Sequence, residues 1–257
     1  MKRRATATIA CCGLVALVLC AAAAADVFIG TPGDDTLMGT PQPDQIYGQD
    51  GHDRITGLEA NDYLEAGPGA DEVAAGAGAD LVIGGTEEDT VAAGPGSDVV
   101  YAGAGDDTVV GDQGDDFLYG QVGDDSVFGG SGRDTIYAGS GTGVADGGSS
   151  ADELHAEGNS TVLGGKGDDL IYVTRGDATV QGGTGNDRIR GGAGAERITG
   201  GRGGDRITAG AGDDYVDVRD GRRDRVNCGD GSDTVVLDSK DSVRRCERRL
   251  REPPQTG

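Results

Sequence analysis

The sequence predicts an all-β chain built as a parallel solenoid, and three observations carry that expectation. A nine-residue pattern, Gly-Gly-x-Gly-x-Asp-x-(aliphatic)-x, starts at Gly30 and continues to Val243. Its eighth position is aliphatic in unit after unit, and the hexad before it is rich in glycine. The chain carries 50 Gly, no Trp and 4% aromatic residues, too little apolar bulk for a conventional packed core. A unit this short cannot bury its apolar face alone, so it folds by stacking on its neighbours.

The elements follow in chain order. Residues 1–25 hold Lys2, Arg3 and Arg4, then an apolar run that ends in Ala23-Ala24-Ala25, and read as a cleaved secretory signal. An uncleaved anchor and acylation at Cys20 are the alternatives. Residues 26–243 are the repeat array. Units run in phase from Gly30 to His155, one eight-residue unit follows, and the phase then holds from Gly164 to Asp217 before slipping near Asp224. Twenty-four units are legible, among them GGSGRDTIY (129–137), GGKGDDLIY (164–172) and GGTGNDRIR (182–190). Residues 244–257 form a basic cap and tail, with Arg244, Arg245, Arg248, Arg249 and Arg251.

Within a unit, the x-aliphatic-x triplet predicts a short strand, with Leu37, Ile46, Ile55, Leu64 and Val73 among the inward residues. The glycine-rich hexad supplies the turn. Tight turns account for the glycines and a thin core for the aliphatics, but neither accounts for the sixth position. It is Asp in twenty of the twenty-four units and Glu in one. Carboxylates stacked at the strand spacing of about 4.8 Å repel by roughly 3 kcal/mol per pair at an effective dielectric of 20. Only a cation between the layers makes that arrangement favourable. Carboxylate and carbonyl oxygens, without histidine or thiolate ligands, suit Ca²⁺ rather than Mg²⁺ or Zn²⁺.

With these residues in place, the chain resembles the RTX, or hemolysin-type, calcium-binding nonapeptide-repeat family from Gly30 to Val243. The resemblance implies a right-handed parallel β-roll with two units per coil and Ca²⁺ ions between turns stacked on the same side. Alternate units then stack, and the sixth-position residues separate into two columns. One runs without a gap through Asp44, Asp62, Asp80, Asp98, Asp116, Asp134, Asp152, Asp169, Asp187, Asp205, Asp224 and Asp241. The other runs through Asp35, Asp53, Asp71, Asp89, Asp107 and Asp125, loses its aspartates at Gly143, Ser160, Ala178 and Glu196, and resumes at Asp214 and Asp233. The gap is expected to lack regular calcium sites. The turns at 39–44, 57–62 and 84–89 lack the fourth-position glycine and are expected to bind weakly or not at all. Fifth-position acids such as Asp106, Asp115, Asp124, Asp168 and Asp213 are expected to face solvent. The expected metal ligands are therefore Asp35, Asp53, Asp71, Asp89, Asp107, Asp125, Asp80, Asp98, Asp116, Asp134, Asp152, Asp169, Asp187, Asp205, Asp214 and Asp233.

Loss of the leader would leave Cys228 and Cys246 as the two cysteines of an oxidising compartment, which favours one disulfide. They are eighteen residues apart, one coil in the implied geometry, so the bridge would staple the last coil. His52 and His155 are the only histidines, and the chain has no HExxH, G-x-S-x-G, P-loop or EF-hand pattern. The residues therefore offer no catalytic constellation. They suggest a secreted protein that folds on binding several Ca²⁺ ions, with calcium and an envelope or extracellular protein as partners. The alternative is a cell-surface spacer in which calcium only stiffens the rod.

Overall fold

The computed structural model describes residues 25–251. The expected leader and the last residues of the tail lie outside that range. Among the described residues there are twenty-six strands and no helix, from β1 (Asp26–Ile29) to β26 (Arg248–Arg251). Odd-numbered strands form one thirteen-stranded sheet and even-numbered strands the other, and all these strands pair in parallel. The chain is a β-solenoid of about thirteen turns, a β-roll, in which consecutive strands alternate between two facing sheets.

Register sets the coil at eighteen residues. Leu81 of β7 (Leu81–Thr86) sits beside Val99 of β9 (Val99–Ala104), and Thr90 of β8 (Thr90–Pro95) beside Thr108 of β10 (Thr108–Gln113). The coil departs from eighteen at three places, the last being the final coil, where Arg225 pairs with Ser242 and Thr234 with Arg248. The eight-residue unit brings Glu153 beside Leu170, and the insertion near Asp224 brings Arg206 beside Arg225.

Most strands are six residues long, twice the triplet that the pattern suggests. The strand runs on into the first three positions of the following unit, whose second and third positions pair with the next coil, as in Gly67 beside Gly85 and Pro68 beside Thr86. The second position takes a positive φ, +114° at Gly67, and the fourth does so again, +140° at Gly69. Glycine removes the cost of that conformation. Where the fourth glycine is missing, Ala60 (φ 77°) and Glu87 (φ 79°) hold the same left-handed geometry, at the strain expected of an L residue there.

The core is a single file of aliphatic side chains. Eighth-position residues such as Ile46, Leu64, Val100, Leu118, Ile136, Leu154 and Ile171 are completely buried, joined by first-position alanines such as Ala66, Ala75 and Ala102. Outward positions of the odd sheet carry a row of rings, Tyr101, Tyr119, Tyr137, His155 and Tyr172, stacked at centroid distances of 4.5–4.9 Å. Cys228 and Cys246 form a disulfide with a Cα–Cα distance of 5.2 Å, tying β23 (Arg225–Asp230) to the chain between β25 (Ser242–Arg244) and β26.

Candidate metal site

The sixth-position residue sits where the turn re-enters a strand, with its carboxylate turned inward. Of the sixteen expected ligands, all but Asp35 are buried. Each carboxylate is split in function. One oxygen, Oδ1, accepts the backbone N–H of the sixth-position residue one coil earlier: Asp80 N–H donates to Asp98 at 2.7 Å, Asp98 to Asp116 at 2.8 Å and Asp116 to Asp134 at 3.0 Å. Along one edge these bonds run without a break from Asp44 to Asp241.

The other oxygen, Oδ2, is buried and has no hydrogen-bond partner in Asp53, Asp71, Asp80, Asp89, Asp98, Asp107, Asp116, Asp125, Asp134, Asp152, Asp169, Asp187, Asp205, Asp214 and Asp233. Asp62, Asp224 and Glu196 share this feature. An unsatisfied buried polar atom costs about 1–3 kcal/mol, and a charged one more. Eighteen of them exceed the roughly 5–15 kcal/mol by which a domain is normally stable. The fold at neutral pH therefore calls for a cation beside these oxygens.

The surroundings fit one. A methyl placed on Gly120 would lie 2.5 Å from Asp125 Oδ2 and 2.6 Å from the Ala138 carbonyl oxygen, and one on Gly147 would lie 2.6 Å from Asp152 Oδ2 and 2.8 Å from the Gly164 carbonyl oxygen. A carboxylate oxygen and a main-chain carbonyl thus converge on a space that a first-position glycine leaves open. First-position alanines such as Ala66 and Ala102 are buried in the aliphatic core. No group of three or more His, Cys, Asp or Glu side chains gathers among the described residues. The donors are oxygens of both side chain and main chain, the set that suits a hard ion tolerant of irregular geometry.

Burial is the first cause of the electrostatics. It pushes Asp98, Asp89, Asp152, Asp187 and Asp224 up to about 7, and Asp62, Asp71, Asp125, Asp134 and Asp205 up to about 6. The backbone N–H from the neighbouring coil opposes the shift in each of them. For Asp98, the carboxylates of Asp80 and Asp116 add to it.

Three positions are closed by side-chain or turn donors. Thr31 donates from its backbone N–H at 2.5 Å and its hydroxyl at 2.8 Å to Asp35 Oδ2, which holds Asp35 below the usual carboxylate range. Thr40 also donates from its backbone N–H and its hydroxyl to Asp44 Oδ2, at 2.6 and 3.0 Å. Asp238 N–H donates to Asp241 Oδ2 at 2.8 Å.

The second column breaks at three units rather than four. Gly143, Ser160 and Ala178 supply no carboxylate, but Glu196 N–H donates to Asp214 Oδ1 at 2.9 Å, and its own Oε2 is buried and unpartnered like its aspartate counterparts. Burial and the adjacent Asp214 raise its pKa. The extra methylene still lets this carboxylate reach inward. Ser160 lies in the eight-residue unit and turns its hydroxyl to the Glu157 carbonyl, 3.0 Å away. At the C-terminal end Glu247 extends the column by accepting from Asp233 N–H at 3.0 Å.

A second ladder was not expected. Fifth-position side chains, although exposed, accept the backbone N–H of the fifth-position residue one coil later: Asp124 N–H to Asp106 at 2.9 Å, Thr142 N–H to Asp124 at 2.7 Å, Asp177 N–H to Asn159 at 2.8 Å and Ala195 N–H to Asp177 at 2.8 Å. These bonds hold the turn edge together leading into the gap, within it between Asn159 and Asp177, and beyond it. Asp, Asn and His52 all serve as acceptors, so no single residue type marks the position in sequence.

No curated protein matches the chain. The pattern that defines the RTX calcium-binding nonapeptide repeat matches ten overlapping stretches that together span residues 29–223. The matched stretch contains nearly all of the unpartnered carboxylates, and the chain belongs to the RTX calcium-binding nonapeptide-repeat family.

Proposed function

We propose that this protein is a secreted calcium-binding β-roll without catalytic activity, which folds when several Ca²⁺ ions enter between its stacked turns. The row of buried carboxylate oxygens without partners carries the proposal. The proposed ligands are the sixth-position carboxylates from Asp53 to Asp233 in both columns, now including Asp62, Glu196 and Asp224, with main-chain carbonyls completing each site. Asp35 is proposed only as a ligand that must first release Thr31.

The same carboxylates make the unfolded chain acidic, with a formal net charge of −23. Before metal binds, repulsion and the thin core oppose folding. When the ligands are assembled only in the fold, metal binding and folding are one equilibrium. Far-UV circular dichroism of the chain lacking residues 1–25 tests this. A β signal that appears with millimolar Ca²⁺ and disappears with excess EGTA at pH 7.5 supports the proposal. An identical β spectrum and melting temperature in both defeats it.

A further inference from the structure

Charge is unevenly placed along the rod. Fifteen of the 22 Lys and Arg residues fall between Arg188 and Arg251. Three of them, Arg188 of β19 (Arg188–Arg190), Arg206 of β21 (Arg206–Ala211) and Arg225 of β23, are register partners on neighbouring strands. They stand on the outer face of the odd sheet, exposed. Like charges repeated at the strand spacing of about 4.8 Å repel, just as the aspartates do.

Arg188, Arg206, Arg223 and Arg225 line one concave surface, which continues through Arg202 and Arg222 around the turn edge. None of these six side chains makes an ion pair or a side-chain hydrogen bond among the described residues. Asp187 and Asp205 lie beneath the groove as buried members of the aspartate ladder. Asp220, at its edge, has both carboxylate oxygens engaged by the backbone N–H groups of Gly203 and Arg222. Gly185, Gly203 and Gly204 leave part of the floor without side chains.

We propose that this arginine groove binds a linear acidic polysaccharide lying along the rod axis. One cation per coil presents a regular row of guanidinium forks, each able to hold a carboxylate or sulfate by two hydrogen bonds. The bare glycine floor lets sugar rings approach the main chain. A polynucleotide is the less suitable polyanion, because no aromatic ring lines the groove and stacked bases would find no platform.

Titration of the full mature chain, kept in constant Ca²⁺ at low ionic strength with folding followed by circular dichroism, tests the site. The probes are dextran sulfate, uncharged dextran and a single-stranded oligonucleotide. Dextran sulfate should bind, with an affinity that falls as salt rises, and dextran should not. The variant R188Q/R206Q/R225Q should bind dextran sulfate about thirtyfold more weakly, from three exposed charge contacts of moderate strength. Each single Arg→Gln variant should lose about threefold, which keeps the test decisive if the triple variant folds poorly. Arg54→Gln, an exposed change outside the groove, should bind as the parent does. Absent binding of dextran sulfate, binding unaltered by the groove substitutions, or equal or tighter binding of the oligonucleotide would each overturn the proposal.

Discussion

At the scale of the residue, the sixth-position carboxylate has one satisfied oxygen and one unsatisfied oxygen, and that division explains why it recurs. Oδ1 replaces a ladder hydrogen bond that the turn cannot provide, while Oδ2 is left to a cation or a proton. The proton alternative has a definite pH signature. In the metal-free fold the carboxyl of Asp98 rises from 3.8 to about 7. A group whose pKa is higher folded than unfolded stabilises the fold below its unfolded pKa, and that contribution is lost as pH rises through the folded value. Metal-stripped protein should therefore be more stable near pH 4 than near pH 8, losing that stability progressively as pH rises from about 4 to about 7. With Ca²⁺ present the trend should reverse, because protons displace the ion. Thermal melts across that range check it, and metal-free protein that gains stability toward pH 8 would refute it. The acidic repeat was legible in the sequence, whereas the closing of Asp35 and Asp44 by Thr31 and Thr40 was not. A second-position threonine looks like a mere loss of glycine until its hydroxyl is placed.

At the scale of the element, alternation of units between two sheets turns one sequence pattern into two independent edges. The column assignment followed from an eighteen-residue coil, and the register reproduces it. The extent of the gap differed because side-chain length matters: Glu196 keeps its carboxylate on the inner row, so the break covers Gly143, Ser160 and Ala178. Its centre coincides with the eight-residue unit, where a shortened turn places a serine that bonds to its own loop. The fifth-position ladder, built from Asp106, Asp124, Asn159 and Asp177, shows how that edge stays closed. Its residues vary in type, which hid the ladder from a reading by consensus. The disulfide belongs to this scale as well. Cys228 is fully buried and Cys246 nearly so, next to the last strands. The double variant C228S/C246S should lose about 3 kcal/mol of stability in the chain-entropy account of an eighteen-residue loop. Urea unfolding in saturating Ca²⁺ measures that loss, and an unchanged midpoint would show that the bridge does not restrain the final coil.

At the scale of the whole molecule, the thin aliphatic core and the carboxylate rows have to be considered together. Each strand buries little more than one aliphatic side chain and often a first-position alanine, while the same coils carry inward carboxylates. Cation binding converts the second feature from an opposing into a favourable contribution, and it leaves the arginine-rich coils of the C-terminal third as the basic part of an otherwise acidic rod. The most direct test is an anomalous-difference map from crystals grown in Ca²⁺, collected at a long wavelength where calcium scatters anomalously. A row of ions is expected beside Asp62 to Asp224 on the continuous edge, with a second row broken beside Gly143, Ser160 and Ala178 that resumes at Glu196. A β-roll with no ions along the carboxylate rows, or with regular ions across the break, would contradict it.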